Sequence, residues 1–96
     1  MKKATKNGID NIITVTNEDN ERQVEQMVGK AMCAYANWQE VDNIPYLANG
    51  YDKAEAKGRF ESEYEATIRC IAMFVDQPTS YICQYVIARC FEEFGI

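Results

Sequence analysis

Histidine is missing altogether, proline occurs only twice, the five glycines are scattered, and no apolar stretch is long. The first and the last two of these shortages each remove a class of function from a chain of 96 residues. Serine and cysteine nucleophiles usually depend on a positioned base, most often histidine, so hydrolysis or transfer by that route loses its proton acceptor. The chain is therefore read as a protein that is not an enzyme. Gly8, Gly29, Gly50, Gly58 and Gly95 form neither a GxGxxG nor a GxxxxGK[ST] pattern, which leaves nucleotide binding without a phosphate-cradling loop. No apolar run approaches the roughly 20 residues that span a bilayer. The basic start from Met1 to Lys6 is followed by Asn7, Gly8, Asp10 and Asn11, where a signal peptide would carry its apolar stretch. A cytoplasmic location with no membrane partner is the expectation.

The four cysteines, Cys33, Cys70, Cys83 and Cys90, contain no Cys-x-x-Cys knuckle, and with no histidine to complete a mixed site a structural zinc is not expected. Disulfide frameworks belong to secreted chains poor in core-forming residues, whereas this one is 47% hydrophobic and 11% aromatic. The cysteines read as reduced, small buried hydrophobes with thiol pKa values raised by desolvation. No cofactor is implied.

The net charge is −5, unevenly placed. Lys2, Lys3 and Lys6 make the start basic, while Glu18, Asp19, Glu21, Glu25, Glu40 and Asp42 outweigh Arg22 and Lys30 in the next stretch. Affinity for nucleic acid comes largely from Lys and Arg displacing counterions, so an acidic body disfavours direct binding to DNA or RNA. A helix-turn-helix reading fails on the same ground, since the last helix carries Arg89 against Glu92 and Glu93.

What the sequence does contain is helical periodicity. Residues 1–16 have no such period; Ile12, Ile13, Thr14 and Val15 follow the turn-prone Asn7-Gly8 and suggest an extended arm with a strand-like piece. That arm either lies across the helices or pairs with a second chain. Thr16 and Asp19 read as a capping box, opening a helix over about 17–40 whose apolar stripe runs through Val24, Val28, Ala31, Tyr35 and Trp38. Asn43-Ile44-Pro45 ends it. Asp52 with Glu55 offers a second capping box for a helix over about 52–75, with Tyr64, Ile68, Ile71 and Val75 on its stripe. Asp76 to Ser80 is a short connection to a third helix over about 79–94. There Ile82, Cys83, Val86, Ile87, Cys90, Phe91 and Phe94 form the core stripe, and Tyr81, Tyr85 and Ala88 a weaker strip on the opposite side. The expected fold is all-α: an antiparallel three-helix bundle, residues 17–96, with an extended N-terminal arm, residues 1–16.

Function then rests on surface. Glu18, Asp19, Glu21, Glu25, Glu61, Glu63 and Glu65 form an acidic face suited to a protein partner with a basic surface. Tyr35, Trp38, Tyr46 and Tyr51 cluster around the first linker, where Tyr46 and Tyr51, with Leu47 between them, would add aromatic contacts of the kind that dominate interface hot spots. The expectation is a small acidic interaction module, an inhibitor or regulator of a nucleic-acid-handling complex of the phage or mobile-element anti-defence type. Two alternatives use the same residues differently. Carboxylates turned into the bundle would suit a metal-dependent all-helical nucleotide hydrolase, and the third helix with the arm would suit a structural homodimer.

Overall fold

The computed structural model describes residues 1–42 and 50–96, with the side chains of residues 42 and 50–52 set aside. The described residues are mostly helical, with three α-helices and one two-stranded antiparallel sheet among them. Strands β1 (Lys2–Lys6) and β2 (Ile9–Ile13) come first, then a 3-10 turn at Glu18–Asn20 and helices α1 (Glu21–Asp42), α2 (Gly50–Ala72) and α3 (Thr79–Phe94).

The expected extended arm is a β-hairpin. Asn7 and Gly8 both adopt positive φ, 54° and 79°, as a two-residue hairpin turn matching the right-handed twist of its strands requires. Lys2 pairs with Ile13, Ala4 with Asn11 and Lys6 with Ile9. Because side chains alternate across a sheet, one face carries Lys2, Ala4, Lys6, Ile9, Asn11 and Ile13, and the other Lys3, Thr5, Asp10 and Ile12. Ala4 and Ile13 are fully buried in the same core as the helices. A Cβ added at Gly8 would meet nothing within 4 Å, so Gly8→Ala tests backbone strain alone. It should cost about 1 kcal/mol in urea unfolding, with Gly8→Asn close to neutral because asparagine tolerates the left-handed region.

Past the hairpin the chain crosses the connection between α2 and α3. Thr16 N–H donates to the Phe74 carbonyl and Asp76 N–H to the Thr14 carbonyl, each at 2.9 Å, around a Val15–Val75 bridge. Gln77 Oε1 accepts from Thr14 N–H at 2.7 Å. This pairing explains two departures from the expected boundaries. Phe74 and Val75 leave the second helix, which stops at Ala72, because their backbone is bonded to residues 14–16. Thr16 is occupied by Phe74 and caps nothing; Asn17 accepts from Asp19 N–H instead, and the first α-helix starts at Glu21. The second helix also starts earlier than the expected capping box at Asp52 and Glu55: it begins at Gly50, which puts Asp52 inside its first turn, and the Asp52 side chain lies outside the described residues.

α1 and α2 run antiparallel, since Met27 and Lys30 lie beside Thr67 and Cys70, while Val15 and Thr16 lie beside Val75 and Phe74. α3 packs on both helices and on both strands of the hairpin. That second layer overturns the expected faces of α3. Tyr85 and Ala88, placed by periodicity on the solvent side, are 1% and 0% exposed beneath the hairpin, whereas Phe91 and Phe94, expected in the core, are 40% and 51% exposed.

Candidate functional site

The acids singled out by the sequence separate into three groups. Glu18 and Asp19 sit on the 3-10 turn and Glu21 opens α1; all three are exposed. On α2, Glu63 lines a shallow groove of about 250 Å³ with Met27, Lys30 and Cys70 on the α1 side. Glu65 lines another, of about 280 Å³, with Arg69, Thr79 and Cys83 on the α3 side. Glu61, four residues before Glu65, shares that flank. The buried Tyr64, Ile68 and Ile71 divide the flanks, so one flat partner cannot meet Glu61, Glu63 and Glu65 together.

Glu25 belongs to an internal network. Its Oε1 accepts from Arg89 Nη2 at 2.8 Å and its Oε2 from Lys2 Nζ at 2.9 Å. Arg89 also donates to the Tyr85 hydroxyl and to Glu93 Oε1, each at 2.8 Å. Those bonds tie β1, α1 and α3 at one point. The Arg89 guanidinium is the main cause holding the Glu25 carboxyl down at about 2; desolvation opposes it and Lys2 assists. Periodicity could not reveal this, because Lys2 is 23 and Arg89 64 residues away along the chain. By contrast Glu18, Asp19, Glu21, Glu61, Glu63 and Glu65 make no ion pair among the described residues.

The expected aromatic cluster is present in part. Tyr35, Trp38 and Tyr64 rings stand 5.9 to 6.3 Å apart between α1 and α2, in edge and tilted arrangements. Burial, then the neighbouring Cys83 thiol, pushes the Tyr64 phenol well above its ordinary range. Tyr46 and Leu47 lie outside the described residues; Tyr51 falls within the first turn of α2, and its side chain lies outside them too.

All four cysteines are free thiols, but they are not uniformly buried: Cys33 and Cys70 are exposed, Cys83 is intermediate and only Cys90 is enclosed. Burial, assisted by Glu93, pushes the Cys90 thiol up to about 11. Among the described residues no three His, Cys, Asp or Glu side chains converge to hold a metal ion, and no helix is long and apolar enough to cross a membrane.

The apolar surface gathers elsewhere. Ile9, Ile12, Tyr81, Phe91, Phe94 and Ile96, all at least 40% exposed, belong to the hairpin, α3 and the residue closing the chain. Comparison with protein-family models, with curated proteins and with solved structures found no match.

Proposed function

We propose that this chain is a non-enzymatic protein-binding module that uses exposed carboxylates on a three-helix scaffold to engage a basic surface, as an inhibitor or regulator of a nucleic-acid-handling protein complex of the phage or mobile-element anti-defence type. The observation that supports the reading is the contrast among the acids. Glu25 and Glu93 are neutralised by Lys2 and Arg89, while Glu18, Asp19, Glu21, Glu61, Glu63 and Glu65 make no ion pair among the described residues. Unpaired carboxylates on rigid helices can occupy sites meant for phosphates and steer a basic partner toward them.

The test is salt-dependent capture of a basic nucleic-acid-handling complex from host lysate, followed by reversal of Glu61, Glu63 and Glu65 to lysine. Each reversal adds two charges, taking the net charge from −5 to +1. Affinity should fall by more than about tenfold, since like charges across an interface repel. The melting temperature should hold within a few degrees, because Glu63 and Glu65 are exposed and Glu61 is only half-buried, and surface changes cost little. Reversing Glu63 alone, against Glu61 with Glu65, then tells which flank of α2 is used. Unchanged binding by the triple variant would refute the acidic-surface reading.

A further inference from the structure

We infer that the uncharged strip of α3 left between the hairpin and the side facing α2 is a self-association surface, and that its occupant is a second copy of this chain docked about a two-fold axis through Gln84. The inference is independent of the acidic-surface reading. It begins from where α3 keeps its charges. Arg89, Glu92 and Glu93 all line one groove with Lys2, Lys3 and Glu25, on the side covered by β1. Cys83 faces α2, and Val86 and Cys90 are buried in the core. That leaves Ser80, Gln84, Ile87, Phe91 and Phe94, spaced at three and four residues along one side of the helix, with no charge among them. In a chain that is 26% charged, a helix-long uncharged strip carrying two exposed phenylalanines is the kind of patch that marks an interaction site.

Why a copy of itself follows from the two ends of the strip. Gln84 lines both grooves beside it. One, with Lys6, Asn7, Ile9, Asn11 and Ile87, is basic, and its Lys6 Nζ sits 5.7 Å from the Phe91 ring centroid. The other, with Ile12, Asp76, Pro78 and Tyr81, is acidic through Asp10 and Asp76. A two-fold axis at Gln84 makes the helices antiparallel and sets residues equally far before and after it against each other. Tyr81, three residues before the axis, then meets Ile87, three after it, of the copy, and the groove holding Asp10 and Asp76 comes against the copy's groove holding Lys6. Apolar groups meet apolar groups and opposite charges meet at both ends, as a self-complementary interface demands. The Gln84 amide, donor and acceptor at once, comes to lie against its own copy. Helix dipoles also oppose one another favourably in this arrangement.

Sedimentation of the full chain over a range of concentrations tests the proposal. The expected result is a reversible rise to twice the chain mass. Gln84 is exposed, so Gln84→Lys leaves the fold intact yet places two like charges at the axis; its dimer dissociation constant should rise at least about tenfold with an unchanged melting profile. Lys6→Glu and Asp76→Lys should each weaken the dimer, and the combination should restore it, because each charge finds its opposite again across the axis. A chain monomeric at every concentration overturns the inference. So does a dimer indifferent to Gln84→Lys, which would place self-association on another surface, such as the edge of the hairpin.

Discussion

Replacing Ile13 by alanine should cost about 3 kcal/mol and lower the melting temperature by roughly 10–20 °C, whereas Ile12→Ala, one residue away, should shift it by less than about 4 °C. The two residues have the same side chain in the same strand. Ile13 is fully buried with Ala4, Val24, Val28, Tyr85 and Val86 in one cluster, and Ile12 points to the opposite face and is 40% exposed. Truncating Ile13 both withdraws apolar area and leaves a cavity, while at Ile12 water already occupies the space. The expected size matters because a domain of this length has a total stability of only about 5–15 kcal/mol. Thermal unfolding of the pair followed by circular dichroism decides it. Equal small effects would mean that the hairpin is an appendage; the large difference expected follows from the hairpin closing the core over Tyr85.

That role of the hairpin is also where reading the sequence and reading the structure part company. The third helix was legible to the residue at both ends, because Pro78 sets its start and Gly95, at φ 73°, ends it in the left-handed conformation. The buried stripes of α1 and α2, through Val24, Val28 and Ala31 and through Tyr64, Ile68 and Ile71, follow the helical period. The first strand was not legible. Its inward face is Lys2, Ala4 and Lys6, so a single alanine represents the core, and the two lysines reach Glu25 and the Phe91 ring rather than any apolar neighbour. Only Asn7-Gly8 announced the turn. Without β1 placed over α3 in particular, periodicity alone put Tyr85 and Ala88 on the solvent side and the broad stripe through Phe91 and Phe94 in the core. Of the acids, type and exposure were readable, but their division was not. Whether Glu61, Glu63 and Glu65 share a surface depends on which neighbours α2 has on each flank. Glu25 was indistinguishable from the others because both its cations lie far along the chain.

Arg89→Met should destabilise the fold by about 2 kcal/mol and, more tellingly, should remove much of its sensitivity to acid. Methionine keeps the apolar stem but withdraws the guanidinium that joins Glu25, Tyr85 and Glu93. The Tyr85 hydroxyl then loses its donor inside the fold, and a carboxylate held by two cations keeps only Lys2. Glu25 is 43% exposed and resolvates readily, which keeps the cost below the 3–5 kcal/mol typical of breaking a fully buried pair. The pH dependence follows from the direction of the shift. Folding lowers the Glu25 carboxyl from 4.5 to about 2, so between those values the unfolded chain binds a proton that the folded chain refuses. The network's contribution is present in full above about pH 4.5 and is lost as pH falls toward 2. Without Arg89, the largest cause of the lowering, the folded and unfolded values converge and the slope of stability against pH in that window flattens. Urea midpoints for the natural chain and for Arg89→Met, measured at steps from pH 5 to pH 2, give both quantities at once. A variant as acid-sensitive as the natural chain would assign the titration to another carboxylate, whereas a converging pair of curves identifies the Glu25–Arg89 pair as the source of the acid sensitivity.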